Sequence, residues 1–219
     1  MSFDVPAESY ARFMGRYAEP LAAQFLEASD ARPGQRALDV GCGPGALTAR
    51  LVGRLGLAAV SAVDPSAPFI AALADRLPGV DVGLAAAEQL PFADDEFDLA
   101  LAQLVVHFMA DPVAGLQEMA RVTRPGGVVG ACVWDHAGGT GPLAAFWRAV
   151  HDLDPGFVGE SDLAGAREGH LAELAAAAGL REIGSTLLNV TVPFATVADW
   201  WEPFTLGVRP AGVYVARLD

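Results

Sequence analysis

The residues in this sequence best suited to chemistry are two carboxylates set around three glycines. In "ALDVGCGPGALTARL", positions 37–51, an apolar stretch runs into Asp39, then Gly41, Gly43 and Gly45 at alternate positions, then a helical pattern. Such glycines let a backbone turn sharply and approach a ligand with no side chain between. The second acid, Asp64, followed by Pro65, ends the next apolar run in "AVSAVDPS". An acid there can accept from both hydroxyls of a ribose, each hydrogen bond worth roughly 1.5 to 3 kcal/mol. The loop "GCGPGA", with Cys42 between its first two glycines, also satisfies the dinucleotide-binding spacing, so spacing alone leaves the ligand open.

Charge narrows it. A pyrophosphate at the N-terminus of the following helix needs neutral or positive surroundings, whereas Asp39 puts a carboxylate just before the loop. A cation fits better, and S-adenosylmethionine, with no phosphate, an ammonium and a sulfonium, is such a ligand. His107 and His136 are the candidate general bases, each expected just beyond the carboxyl end of a strand, where an imidazole of pKa near 6.5 can take a proton. Each also fits a structural role, and "WDH" at 134–136 reads equally as a turn capped by Asp135. His151 and His170 fall on helix surfaces. The aromatic group Tyr10, Phe13 and Tyr17 reads either as buried core or as a lid over a sulfonium, a contact worth roughly 0.5 to 2 kcal/mol. The histidines and cysteines lack ligand spacing, so no metal site is expected.

The elements that must carry these residues alternate. Residues 6–28 suggest one or two helices interrupted near Gly15 and Pro20; strands follow at 36–40, 58–63, 80–84, 97–102 and 127–133, with helices at 45–55, 67–76 and 112–122. This alternation predicts an α/β, doubly wound, mostly parallel sheet with helices on both faces and ligands beyond the carboxyl ends of its strands. With the first strand central, one strand separates those of Cys42 and Cys132, roughly 9 to 10 Å at about 4.8 Å per spacing, beyond disulfide reach. Residues 134–178 break the rhythm with a glycine-rich turn and two helices, the first part a cap or insertion and the rest the helix before a sixth strand, with Phe146 and Trp147 suited to an apolar acceptor. A sixth strand is expected in "LREIGSTLLNVTVPF" and a short helix in "TVADWWEPF" with Thr196 as N-cap. Trp200 and Trp201 either pack that helix or line a pocket.

The 219 residues, 53% apolar, suit a single domain, 1–219, with an N-terminal helical lid over 1–30 and the cap over 134–178. A net charge of −13 without a basic stripe argues against nucleic acid. The absence of a long apolar run or a basic leader makes a cytoplasmic protein, with no membrane partner, the expectation.

Taken together, "YARFMGRYAEPLA", "LDVGCGPGALT", "VDPS", "AAAEQLPFADDEFDLALAQLVVHF", "EMARVTRPGGVV", "VWDHAGG", "FWRAV" and "WWEPF" resemble the class I S-adenosylmethionine-dependent methyltransferases, in particular the small-molecule group labelled methyltransferase type 11. The resemblance implies methyl transfer to a small-molecule acceptor at oxygen, carbon or nitrogen. It places Asp39 close to the glycine loop around the methionine portion, Asp64 on the ribose, Ala87 and Glu88 beside adenine, and Gln103 near the methionine ammonium. Two departures stand out. Ala86 replaces a usual acid, and the chain shows no run for the family's seventh strand, which slots antiparallel between the fifth and sixth. The sheet edge is then closed by another chain, as in a homodimer, or stays open. A non-catalytic protein that binds S-adenosylmethionine and a nicotinamide-dependent oxidoreductase are the rival readings.

Overall fold

The computed structural model describes residues 6–208 and 210–218. Its centre is a five-stranded, all-parallel sheet of β1 (Ala37–Val40), β2 (Val60–Asp64), β3 (Asp81–Leu84), β4 (Phe97–Gln103) and β5 (Thr123–Cys132), in the order β3-β2-β1-β4-β5. β1 and β2 are buried along their whole length, which is why they read as unbroken apolar runs rather than alternating ones. As expected, β4 separates the strands leading to Cys42 and Cys132, and both thiols are free.

Helices cover both faces, and strand parity decides which residues each face receives. Ala37, Ala62, Leu99 and Leu101 point to one layer with Phe25, Leu26, Leu47, Leu51 and Leu73, from α2 (Arg16–Ala28), α3 (Ala46–Leu55) and α4 (Ala67–Arg76). Leu38, Val40, Val63, Ala100 and Ala102 point to the other, against Leu116, Met119 and Val122 of α5 (Pro112–Val122), with Leu174 of α7 (His170–Ala177) packed alongside. Phe97 joins the second layer although its parity matches Leu99. The register shift between Phe97 and Leu99 where β4 meets β5 reverses the facing there.

A third cluster lies apart from the sheet. Phe13, Leu143, Phe146, Val150, Phe204 and Tyr214 tie the N-terminal segment to α6 (Ala144–Leu153), a 3₁₀ turn at Glu202–Leu206 and α9 (Ala211–Val215). Trp200 packs on Phe204 at 4.9 Å, so the tryptophan pair belongs to this packing, with Trp201 partly exposed.

Three expectations need correction. The N-terminal helix is not interrupted at Pro20, which sits inside α2. α1 (Ala7–Tyr10) leads through a π turn at Ala11–Gly15 directly into α2, and that wider turn takes up the distortion a proline imposes one turn back. β5 begins at Thr123 instead of 127, although the continuous ladder starts at Val128; Arg124–Gly127 bulge out between Thr123↔Phe97 and Val128↔Leu99. The sixth strand does not form. Residues 180–194 join no ladder, and the segment is held to α2 by the Gln24 side chain, whose Oε1 accepts from Asn189 N–H at 3.0 Å. Among the described residues no strand lies beyond β5 to receive it. In α8 (Val197–Trp201) the expected N-cap is present, with Thr196 and Asp199 bonding reciprocally to each other's backbone N–H.

Candidate functional site

Beyond the carboxyl ends of β1, β2 and β4 lies a cleft of about 910 Å³, including space open to solvent. Its floor is the glycine loop. Gly41 (φ +70°) has no room for a side chain, since a Cβ there would meet Val105 Cγ2 at 2.4 Å, and Gly45 (φ +90°) would meet Leu73 Cδ1 at 2.3 Å. At the other side β4 turns abruptly at Leu104, a non-glycine residue in the left-handed region (φ 61°) whose N–H is held by Cys132 C=O at 2.8 Å. The turn delivers Leu104 and Phe108 to the cleft, with Phe108 in a 3₁₀ turn at Val106–Phe108 that also carries His107.

The two acids occupy different places. Asp64 lines the cleft, and its carboxylate accepts from Gly43 N–H at 2.9 Å and Ser66 N–H at 2.8 Å. Burial raises its pKa, opposed by those two N–H groups. Each oxygen keeps a further acceptor site for a ligand. Asp39 is corrected from the rim to the interior: it is 1% exposed, lies under the loop, and accepts from Thr48 Oγ1 at 2.6 Å. Burial pushes its pKa up to about 7 against that hydrogen bond. Asp39 therefore ties the loop to α3 and does not face the cleft. Cys42 is likewise buried, and Gly45 sits behind the wall as the N-cap of α3.

Gly41, Gly43, Pro65, Ala87, Glu88 and Gln103 line the cleft, together with Ala86. Glu88 is engaged: its Oε1 accepts from Ala110 N–H at 2.7 Å and Asp111 N–H at 3.2 Å, which anchors the loop before α5. Gln103 donates from Nε2 to Ala18 C=O at 3.0 Å, while its Oε1 is buried with no hydrogen-bond partner among the described residues.

A second space, about 390 Å³ including space open to solvent, adjoins the cleft and shares Tyr10, Leu104 and Phe108 with it. Here the structure brings His107 and His136 together, their rings 6.1 Å apart. Burial lowers the first to a pKa of about 3, helped by His136, and the second to about 4 against the pull of Asp135. Asp135 also caps the turn, accepting from Gly138 N–H at 2.8 Å and Thr140 Oγ1 at 3.0 Å, so the turn and the pocket are both real. Phe13 and Tyr10 line this space; Tyr17 is corrected to core, packing edge-on to Trp134. Trp147 is corrected from lining to support, since its Nε1 donates to Glu160 Oε2 at 2.7 Å. Glu160 itself was missed by sequence reasoning. It is 5% exposed, with a pKa pushed up to about 7 by burial, and the only signal was a lone acid in the glycine-flanked "FVGES".

Residues 38–130 match the family described as "Methyltransferase domain". An uncharacterized methyltransferase of Mycobacterium tuberculosis (strain ATCC 25618 / H37Rv) is 39% identical over 135 residues, 62% of this chain and 52% of that protein. The chain spans about a third to a half of the length of the curated relatives it matches first. In fold it is similar to an S-adenosylmethionine-dependent methyltransferase from Thermotoga maritima (24% identity, TM-score 0.59, 78% of this chain and 76% of that one). It is also similar to a Haemonchus contortus phosphoethanolamine N-methyltransferase solved with S-adenosylhomocysteine (20% identity, TM-score 0.61, 79% and 41%).

Proposed function

We propose, from the premise that this chain carries a class I S-adenosylmethionine-dependent methyltransferase domain, that it transfers a methyl group from S-adenosylmethionine to a small-molecule acceptor. The residues of the cleft fit that donor. Gln103 Oε1, buried and unbonded among the described residues, is an acceptor matched to the methionine ammonium. Gly41 and Gly43 leave backbone open to the ligand, and the free acceptor sites of Asp64 suit ribose hydroxyls. With Ala86 in place of an acid, adenine contacts fall to the Ala87 backbone and the loop fixed by Glu88. The observation that carries the reading is this pairing of an orphaned acceptor and a glycine floor in one cleft.

The bound donor would supply an activated methyl on a cationic sulfur. The protein's share is alignment and exclusion of water, which can lower a barrier by several kcal/mol, up to about 7 to 11 in model systems. The N-terminal helical lid, of which residues 6–30 are described, and the insertion after β5 provide it, since Tyr10 and Phe13 come from one and His136 and Glu160 from the other. His107 and His136, held neutral by burial, are available as proton acceptors at neutral pH. Calorimetric titration tests this directly. S-adenosylhomocysteine should bind with one site, and NAD should give no heat; the reverse result removes the reading.

A further inference from the structure

The space beside the cleft holds a group of buried polar atoms that the protein leaves unbonded. His107 Nδ1, His136 Nε2 and Trp134 Nε1 have no hydrogen-bond partner among the described residues. All three side chains line one space with Glu160. An orphaned buried polar atom costs about 1 to 3 kcal/mol, so three around one space mark where a ligand's polar group belongs.

Their chemistry restricts that group. The indole of Trp134 can only donate. His136 Nδ1 faces Glu160 Oε2 at 3.9 Å, and a carboxylate on that side favours the proton on Nδ1, leaving Nε2 as an acceptor. A carboxylate ligand brings acceptors alone and leaves Nε2 unmet. An ammonium brings donors alone and leaves Trp134 unmet. A hydroxyl does both. The remaining walls are mostly apolar, from Phe13, Phe108, Leu143 and Val208, with Tyr10 where the space meets the cleft, and the space is less than half the size of the cleft.

Resting on the methyl-transfer reading above, we propose that the acceptor is a small, largely apolar molecule carrying one neutral hydroxyl, which accepts from Trp134 Nε1 and donates to His136 Nε2. Glu160 is the positioning residue that sets the tautomer of His136. Its own place is fixed by Trp147 Nε1 at 2.7 Å. In the reaction the hydroxyl proton passes to His136 Nε2 and the freed oxygen pair forms the O–C bond to the methyl. The C–S bonding pair stays on sulfur, turning the sulfonium into a neutral thioether, and His136 then loses its proton to solvent. Because burial keeps both imidazoles neutral, the lone pair is available without prior deprotonation.

The test is calorimetric titration of the protein, saturated with S-adenosylhomocysteine, with phenol, toluene, benzoate and benzylamine. Phenol should bind at least about tenfold more tightly than the other three. His136→Ala and Trp134→Phe should each erase that preference while leaving S-adenosylhomocysteine affinity within about twofold. Glu160→Gln keeps an acceptor for Trp147, and ¹⁵N NMR of His136 should move from a single Nδ1-protonated form to a mixture of tautomers. Toluene equal to phenol, benzoate or benzylamine tightest, or an unchanged tautomer in Glu160→Gln overturns the proposal. Titration with S-adenosylhomocysteine alone separates the two readings. If it does not bind, methyl transfer fails, whereas the phenol preference, measured on the protein alone, stands or falls separately.

Discussion

Asp64 and Asp39 show how little residue type alone says about role. Both carboxylates flank the same loop, yet one faces a ligand-sized cleft and the other lies under it with Thr48. Asp64→Asn must turn an amide N–H toward the N–H of Gly43 or Ser66, so it should cost about 1 to 3 kcal/mol of stability in urea unfolding. It should also weaken S-adenosylhomocysteine binding at least about tenfold by calorimetry. Tyr17→Ala should affect stability alone. Truncating a buried aromatic costs about 3 to 5 kcal/mol, while the affinity of the cleft stays unchanged because Tyr17 does not line it. The places of the glycine loop and Asp64 at the cleft were legible because backbone freedom and strand ends leave a mark in the sequence, whereas Gln103 came from the family resemblance alone. Glu160 was not, because its role depends on Trp147, 13 residues away, and on His136 across the cap.

At the scale of elements, periodicity located the first five strands and the helices between them, since each buries a face that must recur at a fixed spacing. It failed at 180–194 for a different reason. The alternation there is present, with Leu188, Val190 and Val192 half-buried and their neighbours exposed, but a strand is defined by its partner and none is available. Amides of 181–188 and 190–192 should therefore exchange hydrogen orders of magnitude faster than those of β4, which is paired on both sides. Protection equal to β4 would show that a ladder forms in solution. The cap of α8 gives a second measurement: Thr196→Ala should cost about 1 kcal/mol in thermal or urea unfolding, because it removes the acceptor of Asp199 N–H.

Among the described residues, buried carboxyls, Asp64 included, and buried imidazoles act on stability in opposite directions. Asp39 and Glu160, ordinarily near 3.8 and 4.5, are both pushed up to about 7 by burial. The native state keeps protons the unfolded chain has already released, so each group makes stability fall as pH rises from about 4 to 7. His107 and His136, ordinarily near 6.5, are lowered by burial to about 3 and 4. Here the unfolded chain takes protons first, and stability is lost as pH falls below about 6.5. Between about pH 4.5 and 6.5 the two pairs oppose each other. Glu160→Gln removes one of these two carboxyls, so urea unfolding across pH should find the variant gaining on the parent from about pH 4.5 to 7 and then level; a pH-independent difference would count against a buried, raised carboxyl.

The two spaces meet only along Tyr10, Leu104 and Phe108. On one side of that seam stand the glycine loop and Asp64; on the other, Trp134, His136 and Glu160 all come from a single stretch of 27 residues. Such a layout lets a lineage trade one stretch for another, changing what is modified while inheriting the apparatus that grips the donor untouched.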